Sequence, residues 1–158
     1  MDTEQQQYLW EKIKPLKVGM LTSQDGRLLR SRPMYLAQKD FSGRLWFFTH
    51  ADSHKTLEVD AHAHVNISFM DVDRDEYVSI SGVADLSRDP SLINDLWNSM
   101  VGAWFPEGKD SDAVLLLEVS VEAAEIWDAQ DGKMKQMIEL MKAKIQDKTP
   151  SIGENTKL

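Results

Sequence analysis

Ser53 and Lys55 stand two residues apart in the stretch FFTHADSHKTLEV, residues 47–59, where an apolar run ends and a leucine-centred segment begins. A hydroxyl and an ammonium at a strand-to-helix junction could hold an oxyanion. Backbone N–H groups at a helix start supply further donors, and the helix dipole favours negative charge there. Thr49 lies one turn earlier, and Asp52 would compete for the same donors. The same residues also fit a plain turn, with Ser53 as a helix cap and Lys55 solvated. A second basic stretch is LLRSRPMYL, residues 28–36. Strand alternation puts Arg30 and Arg32 on one face, and the guanidinium fork suits phosphate oxygens. Pro33 cannot donate to a ladder, so its strand lies at an edge or is irregular there. A solvated outer barrel face would explain the arginines equally. Two basic, hydroxyl-bearing segments on neighbouring strands nevertheless favour an anion pocket over coincidence.

Other candidate chemistry is weaker. His50 and His54 are four residues apart, and His62 and His64 two apart, spacings that can hold metals. The first pair straddles the strand–helix junction, and no compact set of carboxylates accompanies either pair. Surface or hydrogen-bonded histidines, with no metal, are expected. The acidic run DVDRDE (71–76) lacks the central glycine and distal glutamate of a calcium loop and reads as a solvated turn. There is no cysteine, so disulfides, thiolate metal sites and cysteine nucleophiles are excluded.

The elements that must position these residues follow from pattern. Residues 3–14 are expected to form a helix capped by Thr3, with Leu9, Ile13 and Leu16 at helical spacing. Asp25-Gly26 between two apolar stretches predicts a hairpin joining strands at about 17–23 and 27–38. KDFSG (39–43) is a turn, RLWFFTH a third strand, and 53–62 a short helix. HVNISFMD (64–71) and YVSISGVADLSRD read as strands, with Val78, Ile80 and Val83 inward and Gly82 marking a bulge or bend. Pro90 behind Asp89 predicts a helix over 91–101. A long aromatic-bearing loop is expected over 101–113, then a strand in VLLLEVSVEAAEIWD. From 131 a helix is predicted, its Met134, Met137, Ile138, Met141 and Ile145 forming a packing stripe, before an extended tail. Six or seven strands with two or three helices do not alternate as in a doubly wound sheet. An antiparallel barrel with peripheral helices fits better.

The length of 158 residues fits one domain with a real core. The formal charge of −8, from 18 basic and 26 acidic residues, argues against bulk nucleic-acid binding. It leaves room for one local basic pocket. The polar, acidic N-terminal stretch lacks a signal-peptide core, and no run approaches the ~20 apolar residues of a membrane span. A cytoplasmic protein is the expectation.

RSRPM, followed by a strand ending in FFTHADSHK, resembles the flavin-binding split-barrel families related to pyridoxamine-phosphate oxidase, and most closely their general stress protein branch. The resemblance continues through VNISF, YVSISGVADL, WFPEGKDSDAVLLLEV, AEIWD and the closing IGEN. It implies a mainly β chain: a single six- to seven-stranded antiparallel split barrel over 1–158 with peripheral helices, 131–158 forming a C-terminal helix and tail. It further implies a homodimer that binds FMN, or FAD, at the subunit interface. Carried over, Arg30, Ser31, Arg32, Pro33 and Met34 would line the flavin from one strand, and Phe48 and Thr49 would lie against its ring. Ser53 and Lys55 would hold the phosphate. His54 sits where the oxidase has an arginine, a departure that weakens the phosphate grip or hands the task to Arg30 or Arg32. Trp104 and Trp127 match aromatic positions placed near the flavin, from the partner chain. The implied function is an FMN-dependent oxidoreductase; the alternative is a non-catalytic flavin store or redox sensor. No convincing grip for a vitamin B6 phosphate is found, so that oxidation is not expected as the main activity.

Overall fold

The computed structural model describes residues 1–53, 63–128 and 156–157. Six antiparallel strands form one sheet: β1 (Val18–Asp25), β2 (Leu28–Tyr35), β3 (Arg44–His50), β4 (Ala63–Asp71), β5 (Glu76–Ser87) and β6 (Val114–Trp127). Their order is β2-β1-β4-β5-β6-β3, and a two-residue β7 (Thr156–Lys157) pairs with β6. Among the described residues the helices are α1 (Thr3–Ile13), α2 (Pro90–Leu96) and α3 (Ser99–Trp104). The sheet curls until its two edge strands meet at one isolated bridge, Leu36 to Phe47. The chain is therefore mainly β, a curled half-barrel rather than a fully laddered one. Among the described residues no helix is long and apolar enough to cross a membrane.

Local chemistry accounts for most of these elements. Asp25 pairs with Leu28, leaving Gly26 and Arg27 as a two-residue hairpin loop. Gly26 takes φ +59 at the first loop position, the glycine position of a type II′ turn. Alternation along β1, β4 and β5 sends Leu21, Ile67, Phe69, Val78 and Ile80 into the core, each at most 2% exposed. Burying each such side chain contributes about 1.5–3 kcal/mol. Leu9 and Ile13 of α1 join the same core.

Four expectations change. The α1 cap is Asp2, one residue before Thr3, because Asp2 and Gln5 bond each other's backbone N–H at 2.9 Å in a capping box. Val83 is half-buried, and Gly82 and Ala84 point inward, since Val78 and Ile80 fix the even positions as the core face. Gly82 does mark an irregularity: Ser81 pairs with Ala123 but Gly82 with Val121, leaving Glu122 as the extra residue. A Cβ at Gly82 would lie 2.3 Å from the Ser120 carbonyl oxygen. The helix expected over 91–101 is two helices, because Trp97 turns extended and Asn98 caps α3 through Met100 and Val101 N–H. Consequently residues 101–104, expected in a loop, are the last turn of α3. The helices predicted at 53–62 and from 131 fall on residues 54–62 and 129–155, outside the described residues.

One ion-pair cluster fastens α1 to the sheet. Lys12 Nζ donates to Glu76 Oε1 at 2.8 Å and to Asp128 Oδ2. The Lys12 and Glu76 side chains are 15% and 5% exposed. Burial alone would lower the Lys12 pKa, but its bonds to Asp128 and Glu76 outweigh that and hold it above the usual lysine range. A raised folded-state pKa contributes stability that is complete below the unfolded value and disappears as pH rises through the folded one. Lys12→Met should therefore cost about 3 kcal/mol at neutral pH, leaving Glu76 buried and unpaired. Urea melts of both proteins should show the gap narrowing above pH ~10.4. A gap that is small at pH 7, or constant across that window, would remove the cluster from the stability account.

Candidate functional site

β2 and β3 face each other across the half-barrel's opening. The Leu36–Phe47 bridge is antiparallel. Continuing its register puts Met34 opposite Thr49, Arg32 opposite Ala51 and Arg30 opposite Ser53. The two strands make no further ladder pair in that direction among the described residues, so they part. A cavity of about 480 Å³ opens there, closed on the far side by α3 and the residue after it.

Five of the residues singled out in the sequence line this cavity: Pro33, Met34, Phe48, Thr49 and Trp104. Phe48 is held edge-on against Trp97, with centroids 5.5 Å apart, and lies 6.0 Å from Phe105. Such aromatic contacts fix a ring more firmly than area burial alone. α3 buries Val101 in a small satellite core with Ile93, Phe105 and Leu116. Its Met100 and Trp104, one turn apart, are left 50% and 71% exposed at the rim.

Of the other residues expected at the flavin, the described ones lie elsewhere. Arg32 and Arg30 occupy the inward-facing positions of β2, respectively one and two steps beyond Met34 towards the hairpin, and Ser31 lies on the opposite face. Arg30 Nε pairs with Asp25 at 2.8 Å, and Ser31 Oγ shares a 2.6 Å hydrogen bond with Thr22 Oγ1. Arg32 Nη2 donates to Ser23 Oγ at 2.8 Å, but Arg32 Nη1 is buried and has no partner among the described residues. Burial, and then the charge of Arg30, push the Arg32 guanidinium below its ordinary value, with Asp25 partly offsetting them. Ser53 ends a short 3-10 turn, Ala51–Ser53, anchored by Ala51 N–H to the Ala113 carbonyl at 2.8 Å. His54 and Lys55 are outside the described residues. Trp127 pairs with Tyr77 at the end of β6 and does not line the cavity.

Tyr35, His50 and Phe105 were not foreseen as cavity residues. The His50 ring stacks on Phe105 at 4.3 Å, and its Nδ1 lies 3.3 Å from Glu107 Oε1. A signal for His50 was present: strand alternation places it on the face of Phe48. Among the described residues no group of three or more His, Cys, Asp or Glu could hold a metal ion.

An aromatic, largely apolar cavity thus adjoins an arginine-bearing strand and the turn that leads to Ser53. Such an arrangement can take a flat ring at one end and an anionic group at the other.

Comparison with known proteins agrees with the likeness seen in the sequence. A general stress FMN/FAD binding protein from Xanthomonas citri has 30% identity and TM-score 0.71, with 80% of this chain and 90% of that one covered. A solved chain from Jannaschia sp. CCS1 matches over 99% of both chains at 25% identity and TM-score 0.71. General stress protein 26 of Bacillus subtilis is 29% identical over 84 residues, 51% of this chain and 59% of that protein. The chain spans about half the length of the curated relatives it matches. The family described as pyridoxamine 5'-phosphate oxidase like matches residues 4–151, and the chain belongs to it.

Proposed function

We propose that this chain binds FMN in a split-barrel homodimer and works as an FMN-dependent oxidoreductase. The observation that carries the reading is Arg32. A guanidinium on the inner face, partly desolvated and with Nη1 buried and unpartnered among the described residues, calls for an anion. It sits beside an aromatic cavity of a size suited to a ring system. The family and the FMN/FAD binding protein of Xanthomonas citri support the same ligand.

In this reading Arg32 and Arg30, with Ser53 of the turn opposite and with His54 and Lys55 that follow it in sequence, hold the phosphate. Pro33, Met34 and Phe48 give the ring an apolar wall, and Thr49 meets its polar edge. Bound flavin supplies the redox chemistry, accepting and releasing electrons. The protein binds and orients the ring and keeps water from one face. FAD would share the ring and the first phosphate, so the same residues would serve it.

A second chain completes the site. Val18, Met20 and Met70 are 42–60% exposed on the outer face of two adjoining strands, where Met20 lies opposite Ser68. Contiguous exposed apolar surface of this kind marks an association face. Trp104, largely uncovered in the single chain, and Trp127 would then meet flavin from across the interface.

Three measurements test the reading. Ser53→Ala with Lys55→Ala should weaken FMN by about ten- to hundredfold per lost charge-assisted contact while hardly changing riboflavin, which lacks the phosphate. Fluorescence titration of both ligands reads this directly, and equal losses would remove the phosphate assignment. Light scattering at micromolar concentration should return twice the chain mass of 18.0 kDa; a single chain mass would sink the shared-site dimer. With FMN bound, electrons should pass from a reduced nicotinamide to an acceptor well above the rate of free FMN. A rate equal to free FMN would make the protein a flavin store or sensor instead.

A further inference from the structure

His50 is held from several directions at once. It ends the β3 ladder opposite Val114 of β6, and the next residue, Ala51, donates its N–H to the Ala113 carbonyl at 2.8 Å. Its ring stacks on Phe105, with 4.3 Å between centroids and 26° between planes, and Phe105 is itself only 6% exposed in the satellite core. Its Nδ1 lies 3.3 Å from Glu107 Oε1. Backbone, ring plane and one ring nitrogen are each fixed by a different group. That leaves Nε2, across the ring, with no hydrogen bond or ion pair among the described residues.

Glu107 is placed by its own turn. Pro106 and Glu107 are the middle residues of a turn closed by Gly108 N–H on the Phe105 carbonyl at 3.1 Å. Proline suits the first of those positions, and Gly108 takes φ +85, which glycine adopts without strain. Ser111 N–H bonds the Gly108 carbonyl at 3.2 Å, and Val114 N–H bonds the Ser111 carbonyl at 3.0 Å. Those two bonds carry the turn back to β6 beside His50. Lys109 pairs with its neighbour Asp110 at 3.2 Å, so the turn brings no competing cation to Glu107.

Among the residues lining the aromatic cavity only Tyr35 and His50 carry an ionisable side chain. Imidazole is the one that exchanges a proton near neutral pH. A carboxylate beside Nδ1 selects the neutral tautomer with its proton there, so Nε2 is the nitrogen that trades a proton with a ligand. The His50 and Glu107 side chains are 43% and 32% exposed, so a proton given to a ligand is regained from water.

We propose that His50 is the catalytic proton donor of the aromatic cavity, that Glu107 is its positioning residue, and that the electron acceptor is a flat ring ketone of the quinone class. The assignment rests on the flavin oxidoreductase reading and deepens it by naming the second substrate. A reduced nicotinamide supplies a hydride, which is two electrons and one proton. A quinone needs two electrons and two protons to become a hydroquinone. The second proton leaves Nε2 of the charged imidazole for a quinone oxygen, the N–H bond breaking as the O–H bond forms, and water then restores it. The ring of such an acceptor suits walls made by Tyr35, Phe48 and Trp104.

The test loads the chain with FMN and compares two acceptors under a reduced nicotinamide. 1,4-Benzoquinone takes electrons and protons, whereas ferricyanide takes electrons alone, so the ratio of the two rates isolates the proton. His50→Gln should lower the quinone-to-ferricyanide ratio by about a hundredfold, the lower end of what acid catalysis contributes. Glu107→Gln should lower it by about two- to fivefold, the scale of an exposed charge pair. A merely structural loss would slow both acceptors together and leave the ratio alone. Nitrogen-15 NMR of the ligand-free chain gives a second readout. At a pH that holds the ring neutral, His50 should carry its proton on Nδ1, and Glu107→Gln should shift it towards Nε2. A ratio unchanged in both variants, or a neutral ring protonated on Nε2 in the unsubstituted chain, overturns this proposal alone. An unsubstituted chain that reduces neither acceptor faster than free FMN overturns the flavin reading and this assignment with it.

Discussion

The site depends on β2 and β3 touching once and then parting. Leu36 and Phe47 make a single backbone bridge. Beside it, the Gln38 side chain does what a further ladder pair would do, accepting from Trp46 N–H and donating to two carbonyls. A buried amide that satisfies three backbone groups ends the pairing without leaving orphaned donors. On one side of that closure the strands separate into the aromatic cavity. On the other lies a second hollow, lined by Lys14, Lys17, Gln38 and Lys39. A continuous β2–β3 ladder would bring Met34 against Thr49 and remove the first hollow altogether.

Two hydrophobic clusters keep that geometry fixed. The main one, from Leu21, Ile67, Phe69, Val78, Ile80 and α1, curls the sheet and brings its edges together. The smaller one, from Ile93, Val101, Phe105, Val114 and Leu116, sets α2 and α3 against the outer face of β3. Phe48 belongs to both jobs, packed on Trp97 and Phe105 while one side faces the cavity. The cavity wall is thus rigid because it is the surface of a core. Trp104 differs: it contributes area at the rim but buries little of itself.

Much of this was legible in residue order, and the failures have physical reasons. Asp25-Gly26 specified its hairpin because a two-residue turn tolerates few side chains at positive φ. The face shared by Arg30 and Arg32 followed from a period of two, which has no competing reading once the strand is given. Val83 was misplaced by treating it as in phase with Val78 and Ile80, although those two already set the inward face. The break between α2 and α3 was invisible because Asn98 is an ordinary helix residue by propensity alone and becomes a cap only when Trp97 turns extended. Lys17 could not be read either: a left-handed backbone at a lysine is imposed by tertiary context, where Leu36 N–H bonds the Lys17 carbonyl at 2.7 Å. Tyr35 shows the limit of one-dimensional reading, since nothing in its neighbours announces that it divides two hollows.

Charge distribution gives the arrangement its logic. A net charge of −8 repels anions at long range, but screening confines that repulsion to about 8 Å at physiological ionic strength. Within that distance the neighbouring side chains matter more than the net charge: Arg30 and Asp25 around Arg32, and Asp40 beside Lys14, Lys17 and Lys39. Arginine is the less strongly hydrated and stays charged when desolvated, as at Arg32. Lysine keeps its hydration at exposed positions such as Lys14, Lys17 and Lys39. Desolvation thus separates the two hollows chemically as Tyr35 separates them sterically.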